Sequence, residues 1–520
     1  MRDCSGAGQF LCVATLWQSG NSERQGHVNR SAPGSTKRTN LRGAAAWSYA
    51  QNLGRMAITS GLTLILAAFL GPRVFGVMSL ALAFTGLIEM LQKQGLAPAI
   101  VSRKELTGPQ ADTAFWLVVG IGMILTGIGV VIAPVWAGMN DLPELAGVVR
   151  VLACGIPITS LVVVQEALLT RELAFKALAV RTWVSAAIGG IVGVVGALLS
   201  WGVWALVAQQ LTTSVVAAIV LWGVATWRPR LRVDLAAART LWSYSMRSAG
   251  GSIGVFLGGR LDVLMAGPLF GPVIVGLYRM ANRLTTLVVD ISARSMQAVA
   301  LPGLSALQDD IPAFRDRLLS MTRATTLLCM PALGIVIGMS DSIETILGAE
   351  WHGVSLAIRL VAIGQLATSG SLLIGPALQA VGRPGLTSLL AWCWVGTSAL
   401  AIAGAAAFGS SALVSLCAGL SLSAIISTTS FVAVGMHIFR FKARRMWVAW
   451  FPGMVGGIAG ALSSAAVAAV IAGAHSWARA VLAGASGLAM AAIAVLLAAP
   501  DLRRALRSQV RRRRQLARTV

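Results

Sequence analysis

The chain has little charge, and least of all acid. Only 12% of its 520 residues are charged, and 42 Lys and Arg stand against 19 Asp and Glu. Soluble domains carry about 25% charged residues, so the surface of an ordinary water-soluble protein is excluded. Histidine occurs four times, at His27, His352, His437 and His475, with no second ligand three or four residues away. The six cysteines, Cys4, Cys12, Cys154, Cys329, Cys393 and Cys417, lack metal-ligand spacing as well. Packing is therefore expected of them, not a metal site. No Gly-rich nucleotide loop is present, so ATP is not the expected energy source and no cofactor is expected.

What the chain has is apolar length. Hydrophobic residues make up 56% of it, and the mean hydropathy is +0.76. Apolar runs of about 20 residues, each sufficient to span a hydrocarbon core, recur at 50–70, 75–92, 113–137, 147–169, 177–199, 202–224, 244–268, 273–298, 320–339, 354–379, 384–408, 411–437, 447–473 and 477–499. Turn chemistry separates them, as at Gly71-Pro72, Gly271-Pro272, Arg383-Pro384-Gly385 and Gly409-Ser410. The expected fold is an all-α polytopic membrane protein with about fourteen transmembrane helices. Pro157, Pro331 and Pro376 are predicted kinks.

The basic residues alternate between loops. Breaks after even-numbered segments hold Lys93, Arg103 and Lys104, then Arg171, Lys176 and Arg181, a run from Arg228 to Arg247, then Arg315, Arg317 and Arg323, Arg383, and Arg440 to Arg445. The other breaks hold only Arg73 and Arg479, together with Asp141, Glu144, Asp341, Glu344 and Glu350. The positive-inside rule places both termini in the cytoplasm. The net charge of +23 is thereby explained without nucleic acid. The polar stretch 1–43 reads as a disordered cytoplasmic tail. Residues 9–17 are too few to span or to form a signal peptide. Basic residues 501–520 read as a cytoplasmic tail attracted to anionic headgroups.

An internal repeat is present. Trp47-Ser48-Tyr49 recurs as Trp242-Ser243-Tyr244, and Leu70-Gly71-Pro72 as Phe270-Gly271-Pro272. Arg150 to Gly155 with Thr159-Ser160 matches Arg359 to Gly364 with Thr368-Ser369. The offset near 200 residues predicts two parallel six-helix bundles, 44–232 and 233–440, around a central cavity, with two further helices in 441–500.

Within that frame a few charges stand out. Arg279, Arg283, Asp290 and Arg294 fall within about 60° of one another on a helix. An aligned row of charges inside a membrane is by default the wall of an aqueous cavity, and here it suits an anion. Arg260 lies eleven residues before Gly271, about 16 Å deep, with Asp262 positioned to pair a cation on the next helix. The alternative for any of these is a buried salt bridge that only fixes packing. Glu89 and Asp290 hold nearly equivalent places in the two repeats and are candidates for ion coupling. Gln209 and Gln210 are candidates for sugar contact or for bonding a neighbouring helix.

Several phrases stand out along the chain: Ala68 to Gly76, Thr113 to Leu117, Leu169 to Phe175, Gly202 to Gln210, Trp227 to Leu231, Gly276 to Arg283 and Leu301 to Asp309. Together they resemble the Wzx-like polysaccharide flippases of the multidrug/oligosaccharidyl-lipid/polysaccharide exporter superfamily. The resemblance covers roughly 43–440 and weakens in the last two helices. It implies a flippase, not an enzyme, that moves an undecaprenyl-diphosphate-linked oligosaccharide from the cytoplasmic to the periplasmic leaflet of a bacterial inner membrane by alternating access. The polysaccharide polymerase and export machinery would then be its partners. Arg forks fit diphosphate oxygens in a bidentate way. Three rival readings exist, and one of them, a nontransporting scaffold, leaves the cavity charges unexplained. A drug or metabolite antiporter of the same superfamily would want an acidic cavity. A membrane glycan polymerase or ligase would want a long outer loop, whereas the longest here is about fourteen residues, around Asp341 to Val354.

Overall fold

The computed structural model describes residues 41–93, 108–172, 174–232, 234–409, 411–471, 476–499 and 503–504. Within these, the side chains of 41–46, 48–49, 235–237, 240–255, 294–295 and 298 fall outside the description. The expected tails 1–43 and 501–520 lie almost wholly outside the described residues.

All regular structure among the described residues is helical. Lipid imposes this, because a backbone crossing hydrocarbon must satisfy its own N–H and C=O groups. The first half comprises α1 (Leu41–Phe69), α2 (Pro72–Lys93), α3 (Gly108–Met139), α4 (Pro143–Ala153), α5 (Ile156–Arg171), α6 (Phe175–Leu198) and α7 (Val203–Val224). After these come α8 (Leu235–Ser305), α9 (Ile311–Gly338), α10 (Ser340–Leu347), a 3₁₀ turn (Ala349–Trp351), α11 (Val354–Ser369) and α12 (Ile374–Ala380). The chain ends with α13 (Pro384–Phe408), α14 (Ala412–Phe439), α15 (Ala443–Val470) and α16 (Ser476–Ala498). Thirteen helical stretches are long and apolar enough to cross a membrane. Helix faces such as Met123, Ile124, Val131 and Val135 on α3 are exposed apolar surface, as lipid contact requires. The protein is a multi-pass membrane protein.

One of the thirteen stretches, Phe256–Ala293, is not straight. Gly271 has φ 75° and ψ 173°, a conformation open to glycine, and Pro272 supplies the fixed φ that starts a new helix. Asp262 and Arg279 would be about 26 Å apart on a straight helix, yet their side chains approach to 3.8 Å. The chain therefore folds back at Gly271, and α8 is two antiparallel limbs.

Three other places differ from the hydropathy reading. The fourth segment is two helices, α4 and α5, separated at Cys154 and Gly155, and the tenth is α11 and α12, separated at 370–373. Pro157 thus sits in the first turn of α5 and Pro376 in the short α12. Of the three predicted kinks, Pro331 alone lies inside a long continuous helix, α9. The expected loop 341–354 is folded as α10 and the 3₁₀ turn. Its Glu344 carboxylate accepts from the Ser355 N–H at 2.8 Å. Burial pushes this carboxyl up, but hydrogen bonds from Ser355 and Gly353 and the nearby His352 outweigh it and hold it below its ordinary value.

Packing is asymmetric along the membrane normal. One large core joins Leu66, Leu70, Val77 and Leu80 of the first half to Val263, Val275, Leu277, Trp351 and Ile358 of the second. It lies at the end of the bundle that holds Gly71 and Gly271. Toward the opposite end the halves keep separate cores, Phe115 with Val118, Val164 and Ala167 in one, and Leu304, Phe314, Leu378 and Phe439 in the other. The halves are thus joined at one end, and the end carrying the basic loops has a core in each half. Helices α15 and α16 pack on each other and on α9.

Candidate functional site

The join between the halves is built on the repeat. A Cβ on Gly76 would run into the Pro272 carbonyl, and a Cβ on Gly276 into the Pro72 carbonyl. Residues 200 apart exchange roles, so the contact is self-complementary, as a two-fold relation between halves demands. Beside the crossing, the buried Trp351 donates its indole N–H to the Ala67 carbonyl at 2.8 Å. It also meets Phe75 edge-on, with centroids 5.5 Å apart. This end of the molecule is shut.

Beneath the crossing the two limbs of α8 bring the sequence-predicted charges together. Asp262 Oδ2 accepts a 2.6 Å hydrogen bond from Tyr278 Oη and stands 3.8 Å from Arg279 Nη1. Arg279 is thereby committed to a carboxylate. Arg260 has no hydrogen-bond or ion-pair partner among the described residues, and lies within electrostatic reach of Arg279, Asp262 and Glu89. The exposed Arg283 crosses to the other half, where it donates to Thr59 Oγ1 at 3.0 Å and approaches Ser60 Oγ at 3.5 Å. Arg279, Asp290 and Arg55 surround it electrostatically. Since the limbs fold back at Gly271, Arg260 and Arg283 reach similar depths, about 16 and 18 Å from the turn. The side chain of Arg294 lies outside the described residues.

The described cluster contains four guanidiniums, of Arg55, Arg260, Arg279 and Arg283, and three carboxylates, of Asp262, Glu89 and Asp290. The excess of positive charge is smaller than the sequence suggests, because Asp262 takes up Arg279 and Glu89 comes in from α2. Arg55, Arg260 and Arg283 are the cations of the cluster with no carboxylate ion pair among the described residues, and Arg283 is bonded only to hydroxyls. Two such forks at one depth can hold two phosphate groups. Among the described residues no group of three or more His, Cys, Asp or Glu gathers that would hold a metal ion.

Gln209 lies elsewhere, in the α6–α7 seam against Gly193. That is a helix-packing position, and Gln210 is half-buried beside it. Four residues at the site escape the sequence reading. Arg55 is the first charge inside the opening apolar segment and looks there like a helix-end residue. Tyr278, Asn282 and Gln365 line a largely apolar cavity of about 600 Å³ in the second half, which also includes Asp262 and Thr286. The available signal was the i, i+4, i+8 spacing of Tyr278, Asn282 and Thr286 within an apolar run.

Comparison with known proteins gives the chain's family and fold relatives. The succinoglycan biosynthesis transport protein ExoT of Rhizobium meliloti is 25% identical over 403 residues, 76% of this chain and 79% of that one. The lipopolysaccharide biosynthesis protein WzxC of Escherichia coli is 22% identical over 61% of this chain and 65% of its own length. The solved structure of lipid II flippase MurJ in an inward closed conformation superposes with a TM-score of 0.69 at 12% identity, covering 88% of this chain and 99% of that one. That likeness shows a shared fold. The family model described as polysaccharide biosynthesis protein matches residues 65–356, more than half of the chain, and the chain belongs to that family.

Proposed function

We propose that the chain is a flippase that carries an undecaprenyl-diphosphate-linked oligosaccharide across the bacterial inner membrane, for exopolysaccharide, capsule or O-antigen synthesis. The observation that carries this reading is a pair of forks with no carboxylate ion pair among the described residues, Arg260 and Arg283, at one depth beneath a closed crossing of two related halves. A lipid diphosphate takes its negative charge into the membrane with its sugar, so its carrier needs fixed cations at that depth. Guanidinium meets the need better than ammonium, since it keeps its proton and binds bidentately.

The chain crosses the membrane fourteen times in this reading, two of the crossings being the limbs of α8, and both termini are cytoplasmic. Bundles 44–232 and 233–440 rock about the Gly76–Gly276 crossing, while 441–500 adds two peripheral helices. The present state opens toward the basic loops, where a cytoplasmic lipid-linked glycan would enter. An ion gradient drives the return step through Glu89 or Asp290. The similarity to a succinoglycan biosynthesis transport protein supports transport, and a polymerase would receive the delivered glycan.

Deleting the gene in the producing bacterium should leave the lipid-linked oligosaccharide inaccessible to periplasmic glycosidase while its synthesis continues. Restoring the wild-type chain should return both access and polymer export. Unchanged periplasmic access in the deletion strain, with no second flippase present, would overturn the proposal.

A further inference from the structure

A second basic site stands apart from the α8 cluster. The first turns of α9, the α14–α15 link and the start of α15 enclose a pocket of about 780 Å³. Arg315, Arg323, Arg440, Lys442, Arg444 and Arg445 line it, against the single carboxylate of Asp316. That carboxylate is shared between Arg445 at 3.0 Å and Arg315 at 3.3 Å. Loop topology alone asks only that basic residues lie on one side of a membrane. It does not ask that six of them, from two segments more than a hundred residues apart, converge on one concavity.

The backbone adds to the charge. Arg440 takes a left-handed conformation at the end of α14, with φ 52° and ψ 46°. It turns the chain so that the 28-residue α15 begins at the pocket without a side-chain cap. The free N–H groups and positive end of that helix reinforce an anion site. The floor is apolar, formed by Leu319, Val448 and Ala449. Next to it, Trp447, Val448 and Phe451 present exposed apolar surface, the surroundings of an acyl chain and not of a soluble anion. Helix α15 packs chiefly on α9 and α16, so the pocket faces the surrounding bilayer and not the space between the halves.

We propose that this pocket binds the phosphate headgroup of an anionic membrane phospholipid, whose acyl chains lie along Trp447, Val448 and Phe451. A headgroup with two phosphates, as in diphosphatidylglycerol, matches the charge and volume better than one with a single phosphate.

The test uses the purified full-length chain in detergent, with bound lipid measured by native mass spectrometry and by thermal stabilisation. Diphosphatidylglycerol should be retained most, phosphatidylglycerol less, and phosphatidylcholine least. In the double variant Arg440→Gln, Arg444→Gln the affinity for diphosphatidylglycerol should fall about thirtyfold, two charges at roughly fivefold each. The charge-preserving pair Arg440→Lys, Arg444→Lys should retain most of it. Should the Gln variant fail to fold, competition on the wild-type chain still decides. Glycerophosphate and inorganic pyrophosphate should displace the lipid only weakly if the acyl contact matters. Equal retention of anionic and zwitterionic lipids, full affinity in a folded Gln variant, or displacement by pyrophosphate at lipid-like concentrations would each overturn the proposal.

Discussion

Asp262 holds together the two limbs of α8, accepting from the Tyr278 hydroxyl while balancing Arg279. Both charged side chains are largely shielded, at 15% and 25% exposure, so removing one partner leaves a charge with little water to replace it. Asp262→Ala should therefore cost roughly 3–5 kcal/mol, read as a fall in melting temperature in detergent. Replacing Asp262 and Arg279 together with Leu should recover most of the loss, and failure to recover would mean that Arg279 has another essential partner. The charges of this site were legible in sequence because an ionised residue inside an apolar run has few explanations. That Asp262 would pair a cation on the next helix was also legible, and the reversal at Gly271 delivers it to Arg279; which of the cations there it meets was not. Gln209 illustrates a different limit, since the sequence does not say which helix a polar residue in an apolar run will pack against, and here its side chain lies against Gly193.

Helix α2 and the second limb of α8 meet with no side chain between them at Gly76 and Gly276. A larger residue there collides with backbone, which yields less readily than a flexible side chain, so Gly76→Leu or Gly276→Leu should force the crossing apart. Overpacking of this kind costs about 1–3 kcal/mol, enough to shift a two-state balance by a factor of about 5 to 150. The expected result is loss of transport with faster amide exchange across 348–354, where Trp351 seals the end; unchanged exchange would remove these glycines from the gate. The Gly-Pro punctuation of this region was legible because a positive φ followed by a fixed φ has a sequence signature. The breaks at Cys154-Gly155 and at 370–373 were not, since both lie in continuous apolar stretches and hydropathy is blind to backbone direction. The helical fold of 340–351 escaped notice for a related reason: eight residues are too short for a hydropathy window.

Two related halves are joined at one end and keep separate cores toward the other. In the proposed orientation the separated end, which carries the basic loops, is cytoplasmic. Reporter fusions at Asp141 and Glu344 should accordingly read periplasmic, and those at Arg230 and Arg444 cytoplasmic. A cytoplasmic signal at Glu344 would invert the second half. The all-helical polytopic plan was the most legible level of all, because span length is a property of many residues at once. The central claim is that Arg260 and Arg283 hold the diphosphate while the halves exchange, and periplasmic delivery of lipid-linked glycan by chains altered at these two positions tests it most directly. With protein levels matched, Lys at either position should lower delivery partially and Ala should lower it at least tenfold, as the loss of a charge-assisted bond worth about 1.5–3 kcal/mol implies. Full delivery by a normally expressed Arg260→Ala, Arg283→Ala double variant would contradict the account.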